Sequence, residues 1–359
     1  MKKTITLFIT SLFIIFIACK KDNDTPSSFK VKALLQSEVD NQILPGITSF
    51  INAVSNLETT VKLYLAETTE ENLSIARQQW VATAIAYEKI YVFNIGDVRS
   101  KFIHFSIYDW PATPVAIENN ILNNTIDKSF MDSVLPTAKS IAALEYLLFK
   151  TSLSETNLEI SSSIKRKDYM KFSVEFLELQ ANNLQNTWVA SGGNYSSTFI
   201  NNENTGVRSS FNIFFNGLYN LIDTGKITKI GKPAGLEKSD VINPELTQAY
   251  FSNTSLAILS ANMESITQAY FNTNGDLGID DYVFFITQNN ELNDLVLLRI
   301  KAVNDAIKAI PLTLNEAIIK QPELTKELHN KLEELRILFA VDLRSRLSIV
   351  ITSTDNDGD

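Results

Sequence analysis

Sulfur chemistry is almost absent from this chain. Of 359 residues one is a cysteine, Cys19, so no disulfide can form within the chain and the fold must hold by packing. Histidine is nearly as scarce, with His104 and His329 alone and far apart in sequence. No HExxH, CxxC or GxSxG motif occurs. A zinc hydrolase built on imidazoles would need both histidines to meet in space, and a Ser-His-Asp triad would have to use one of them. The net charge is −9 with no basic block, which sets nucleic acid aside as a partner. Alternating strand patterns are rare, and no fixed-period repeat argues for a solenoid.

The chain also has little continuous apolar sequence. The exception is Ile5 to Ile17, interrupted only by Thr6, Thr10 and Ser11 and preceded by Met1-Lys2-Lys3. Roughly a dozen apolar residues are too few to span a bilayer but suit the core of an export signal. The run ends in Phe16-Ile17-Ala18-Cys19, a small residue before a cysteine, as a lipoprotein signal peptidase requires. Residues 1–18 are therefore expected to be a lipoprotein signal peptide, and Cys19 the lipidation site. That Cys19 is the lone thiol favours acylation over disulfide chemistry. Residues 19–29 are polar and read as a lipidated tether. Each buried methylene of the attached lipid would add about 0.8 kcal/mol to membrane anchoring. Lys20, not aspartate, follows the cysteine, as in lipoproteins sorted to the outer membrane, and Lys20-Lys21-Asp22 is similar to the surface-export tethers of Bacteroidetes lipoproteins. Periplasmic and surface-facing orientations both stay open.

Past the tether the composition is that of a globular protein, 45% hydrophobic and 20% charged. The pattern is helical. Ile43–Gly46 reads as a turn. Ile47, Phe50, Ile51, Val54, Leu57, Val61 and Leu65 recur near a period of 3.6, which predicts a helix over 47–65. Further helices are expected over 70–93, where Ile75, Trp80, Ala84, Tyr87, Ile90 and Tyr91 share a face, and over 136–149, 166–188, 208–222 and 256–271. The last helices fall at 291–310, 314–320 and 322–347. Residues 98–114, around Asp109-Trp110-Pro111, look irregular, and Gly225 to Gly235 reads as a loop. The fold expected is all-α, with two packed helical bundles. The boundary falls near Gly192-Gly193, giving residues 30–190 and 191–352, followed by an acidic tail at 353–359. That tail looks like half a calcium loop without the later bidentate glutamate.

Several segments in order carry a family likeness. Ser140-Ile141-Ala142-Ala143-Leu144-Glu145-Tyr146-Leu147-Leu148 resembles the signature helix of the imelysin-like family, envelope proteins also classed as insulin-cleaving or iron-regulated peptidases. Trp80 with Tyr87-Glu88, the Asp109-Trp110-Pro111 loop, Trp188 before Gly192-Gly193, Lys229 to Gly235, and Asn243-Pro244-Glu245 leading to Ser252 and Ser255 are similar to its other segments. The resemblance implies two four-helix bundles with a site between them. The family signature is Gly-x-His-x-x-Glu; here its glycine is Ser140, its histidine Ala142, its glutamate Glu145. Positions three apart share a helix face, so an imidazole and a carboxylate there would grip one metal or one proton. Ala142 can do neither.

The candidate ligand-binding residues are Glu145, Asp109, Tyr87, Ser140 and Ser255. Four of them also have a plainer reading. Glu145 stands at the edge of an apolar face, where carboxylates are normally solvated or salt-bridged. Asp109 is either a turn residue or a cleft carboxylate paired with Glu145. Tyr87 reads as core, Ser255 as a helix-start hydroxyl, Glu88 as an outer-face charge, and Arg208 as a surface ion-pair former. His104 reads as packed. His329 and Glu333 have chelating spacing but read as a solvated face. The function expected is a ligand- or metal-binding envelope lipoprotein in an iron or nutrient-uptake setting, degenerate as a peptidase, with its catalytic residues unassigned. A divalent metal is the one cofactor in question. The alternatives are a metal-dependent peptidase with a rebuilt site and a scaffold for an outer-membrane protein partner.

Overall fold

A computed structural model describes residues 28–275 and 277–352; the signal peptide, Cys19, most of the tether and the acidic tail lie outside the described residues. Every regular element among the described residues is a helix, and none of those helices is long and apolar enough to cross a membrane. The first bundle consists of α1 (Leu44–Ala66), α2 (Glu70–Glu88), α3 (Ile141–Phe149) and α4 (Ile164–Trp188). The second consists of α5 (Ser210–Thr224), α6 (Ser255–Phe271), α7 (Glu291–Lys308) and α8 (Pro322–Ile337). In each set every helix packs against two others and the set closes on itself: α1 on α2 and α4, α3 on both α2 and α4, then α5 on α6 and α8, and α7 on α6 and α8. This is the two-bundle, all-α architecture expected.

The apolar period explains the packing. Ile47, Phe50, Val54, Leu57 and Val61 of α1 are 0–1% exposed, and Trp80, Ala84 and Tyr87 of α2 are equally buried. Ile75 departs from that face and is 44% exposed. Helix starts are set by local hydroxyls: Thr69, Ser163 and Ser209 accept the amide protons of Asn72, Arg166 and Asn212, each such cap contributing about 1 kcal/mol. Trp80 Nε1 donates to the Ile141 carbonyl at 2.9 Å, which ties α2 to the start of α3.

Two expected breaks are absent, for one physical reason. The turn at Ile43–Gly46 is instead part of a continuous rod. Helix Val31–Glu38 passes through a π-helical segment, Val39–Ile43, into α1. The Gly225–Gly235 loop is likewise helical: α5 continues through a π segment, Gly225–Gly231, into Lys232–Ala234, and ends at Gly235 with φ +66°. Pro45 and Pro233 each follow a π segment by two residues. An α-turn would set each proline ring against the carbonyl four residues before it; the wider i→i+5 turn relieves that clash. Gly46 is needed for a separate reason, since a Cβ there would lie 2.6 Å from Ile90 Cγ2.

The two bundles are joined along their length. The rod's first turns, Val31–Ile43, reach the second bundle. Gln42 Nε2 donates to Asn272 Oδ1, Asn272 Nδ2 donates to Ser37 Oγ, and Phe29 stacks on Tyr282 with centroids 4.4 Å apart. Helix α2 packs against α6.

Candidate functional site

Glu145 sits midway along α3, a short and apolar helix. Ser140 begins α3 by accepting the Ala142 amide proton at 3.3 Å and is itself fully buried. Residues Ile141 to Leu148 are all buried, because α3 is enclosed by its own bundle and by the chain leading into α6. Glu145 is 3% exposed, yet among the described residues no cation meets it. Its Oε1 accepts the Ser252 amide at 2.8 Å and the Ser252 hydroxyl at 2.9 Å. Burial pushes its carboxyl from the ordinary 4.5 up to about 7, against the pull of the Ser252 and Phe251 donors. Glu145 can thus exchange a proton near neutral pH.

Glu145 forms part of the floor of a cleft of about 350 Å³ between the bundles. One wall is the loop carrying Trp110 and Pro111, joined by a cis peptide bond, with Tyr146 of α3 beside it. The other wall is Asn243 to Phe251, which leads into α6. Tyr146 and Phe251 meet edge to face at 5.2 Å, as do Tyr250 and Phe251. Tyr146 is held from behind: its hydroxyl donates to Glu118, and Lys150 lies 5.2 Å from its ring centre.

Deeper between the bundles lies a second acidic group that sequence reasoning placed on the outside. Glu88, at the end of α2, is fully buried. Its Oε2 accepts Lys229 Nζ at 2.7 Å and Asn262 Nδ2 at 2.6 Å, and its Oε1 accepts Gln248 Nε2 at 2.7 Å. Lys229 Nζ also donates to Asn262 Oδ1 at 2.5 Å and lies 5.7 Å from the Tyr91 ring centre. Burial lowers the Lys229 ammonium's affinity for its proton, and Glu88 partly restores it. Tyr108 stands between the two carboxylates; burial first, then the negative fields of Glu145 and Glu88, pushes its hydroxyl well above the usual 10.

The other candidates do not gather at the cleft. Asp109 is half-buried, with burial pushing its carboxyl up, but the cleft is lined by its neighbour Trp110, and Asp109 is not among the groups that set Glu145's proton affinity. Tyr87 is core: it accepts from Asn94 Nδ2 at 3.0 Å and donates to the His104 carbonyl at 3.3 Å. Ser255 donates to the Gln248 carbonyl at 2.5 Å, closing the loop before α6, while Ser252, three residues earlier, meets Glu145. His104 is buried against Phe105, ring centres 4.2 Å apart. His329 Nε2 pairs with Glu237 at 2.8 Å, whereas Glu333 binds Arg336, so the i, i+4 pair does not converge on one point. Arg208 is exposed.

The donor set around Glu145 does not fit a divalent metal. One carboxylate faces an amide and a hydroxyl, the residue one turn back is alanine, and among the described residues no group of three or more His, Cys, Asp or Glu side chains could hold an ion.

A family model described as Imelysin, peptidase family M75, matches residues 43–339. The chain belongs to the imelysin family. Two solved structures share the fold of this imelysin. One is a protein named as an iron-regulated protein A precursor from Parabacteroides distasonis, 18% identical, with a TM-score of 0.72, covering 90% of this chain and 97% of that one. The other is an imelysin-like protein from Psychrobacter arcticum, 16% identical, with a TM-score of 0.73, covering 90% and 96%. No functionally curated protein matches the sequence.

Proposed function

We propose that this imelysin is an envelope lipoprotein, acylated on Cys19 and held at the outer membrane. It binds a ligand in the inter-bundle cleft as part of iron or nutrient uptake and has lost the peptidase centre. The observation that carries the reading is Glu145. It is buried at the cleft floor, satisfied by Ser252 and without a cation, and one turn from Ala142, where the family signature has histidine. A carboxyl kept near its titration point inside an aromatic-walled cleft suits recognition of a polar ligand. The iron or nutrient setting draws on the name of the Parabacteroides distasonis neighbour.

The first experiment measures the metal content and Tm of the mature protein with and without chelator, alongside a peptidase assay. The expected result is a metal-free protein whose Tm ignores chelator, zinc and iron. A stoichiometric metal whose removal lowers Tm, or cleavage abolished by Glu145→Ala, overturns the reading in favour of a rebuilt metallopeptidase. Anchoring is tested separately with Cys19→Ala, which should move the protein from the membrane to the soluble fraction.

A further inference from the structure

The chemistry of the cleft narrows what it takes. We propose that the inter-bundle cleft recognises an organic cation, an alkylammonium or amine group seated between Trp110 and Tyr250 with its charge toward Glu145. The inference rests on the cleft being the binding site and adds the class of ligand.

Three features of the lining point the same way. Four aromatic residues face the cleft, Trp110, Tyr146, Tyr250 and Phe251, together with Pro111 and Pro114. Its two charged residues are both acidic, Glu145 on the floor and Glu245 on the exposed rim, and among the described residues no lysine or arginine lines it. An anionic ligand would therefore meet two carboxyl groups and no counter-charge. A neutral sugar would want several convergent donors and acceptors, whereas beyond the acids the polar lining is Asn243, Thr247 and the hydroxyls of Tyr250 and Tyr146, the last already donating to Glu118. A cation gains from both components, since aromatic faces attract positive charge and desolvation strengthens that attraction. The wall already shows this chemistry on its far side, where Lys150 packs on Tyr146 while paired with Glu118 and Glu159.

The charge of Glu145 then depends on occupancy. With only amide and hydroxyl partners, its carboxyl takes up a proton near pH 7. A bound cation stabilises the carboxylate, so binding releases a proton when it occurs below that point. The titratable groups around it are Tyr108 behind, backed by the Glu88–Lys229 pair, Glu245 at the rim, and the Glu118–Lys150 pair beyond Tyr146. Tyr108 is held neutral, so Glu145 is the group expected to respond.

The test uses the mature protein in detergent and follows tryptophan fluorescence. Trp80 and Trp188 are fully buried, which leaves half-buried Trp110 as the reporter. The probes are choline, its neutral isostere 3,3-dimethylbutan-1-ol and the anion 3,3-dimethylbutyrate. Choline should saturate and bind at least about tenfold more tightly than the alcohol, a difference of about 1.4 kcal/mol. Its affinity should rise several-fold from pH 6 to pH 8. Trp110→Ala, read by titration calorimetry because it removes the reporter, Tyr250→Ala and Glu145→Gln should each weaken it, with Glu145→Gln also flattening the pH profile. If the alcohol or the butyrate binds as well as choline, the cationic class is wrong while the cleft remains a binding site. If no probe binds, or if choline binding ignores all three substitutions, both the class and the cleft reading fall.

Discussion

Glu88 and Glu145 lie on neighbouring helices of the first bundle, both face the second bundle, and both are almost wholly removed from water. Their partners differ. Glu88 meets an ammonium and two amides, in a lattice that spans α2, the π segment after α5, and α6. Glu145 meets the uncharged donors of Ser252 and Phe251 and a cleft. Both oxygens of Glu88 are taken up by protein donors, so little is left for a ligand to satisfy. Glu145 carries the cost of burial without a counter-charge. One acid therefore joins the bundles, and the other is the place where the molecule tolerates an unfavourable arrangement, as binding sites do.

The sharpest way to break the comparison is to remove the partner that only one of them has. Lys229→Met leaves Glu88 buried without its cation and should cost about 3–5 kcal/mol in urea unfolding. Adding Glu88→Gln should recover most of that loss, because the new amide can still accept from Gln248 through its oxygen and donate through its nitrogen to Asn262 Oδ1, which Lys229 no longer occupies, without burying a charge. A Lys229→Met protein that unfolds within about 1 kcal/mol of the parent would remove the cross-bundle role assigned to the pair.

The bundles and Glu145 were legible in the sequence; this pair was not, and the reason is geometric. A 3.6-residue period finds one apolar face per helix. Helix α2 has two buried sides, one against α1 and α3 and one against α6. Glu88 sits on the second, and its partner Lys229 is 141 residues away. Lys229 is further hidden because Gly231, Pro233 and Gly235 look like loop residues, whereas the π segment carries the helix past Gly231 and Pro233 to its end at Gly235. The same blind spot makes a turn of Pro45-Gly46. Around the cleft, Trp110 stands out in the sequence only for its neighbours, and Ser252 only for its place in a family segment. Neither spacing nor propensity could say that Ser252, and not Ser255, would reach Glu145, since a three-residue difference in a loop is decided by the fold.

The second test turns on pH. A carboxyl whose proton affinity is higher folded than unfolded destabilises the fold only where the unfolded form has lost its proton. For Glu145 the cost is absent below about pH 4.5 and complete above about pH 7. A shift of that size corresponds to about 3 kcal/mol. Glu145→Gln, which can still accept from Ser252, should match the parent at pH 4.5 and exceed its stability by about 2–3 kcal/mol at pH 8. Equal stability at both pH values would mean that Glu145 is solvated more than its surroundings indicate.

A third carboxylate gives the opposite slope and the smallest effect. Glu118, behind the Tyr146 wall, accepts Arg166 through both oxygens at 3.0 and 2.6 Å, Tyr146 at 2.7 Å and Lys150 at 3.0 Å. Burial pushes its carboxyl up, but the bonds from Arg166, Tyr146 and Lys150 outweigh it and bring the carboxyl down to about 2. Its contribution is therefore present above about pH 4.5 and lost as pH falls toward 2. Because its side chain is 36% exposed, solvent screening reduces the expected effect to about 1 kcal/mol. Glu118→Gln should be less stable than the parent by that amount at pH 7, and the gap should narrow on acidification, whereas the gap for Glu145→Gln opens as pH rises. Two variants on either side of Tyr146 with stability differences of opposite sign at neutral pH would show that partners, more than burial, decide what each acid does. If both differences share a sign, Tyr146 is not held by Glu118 in the way its bonds imply.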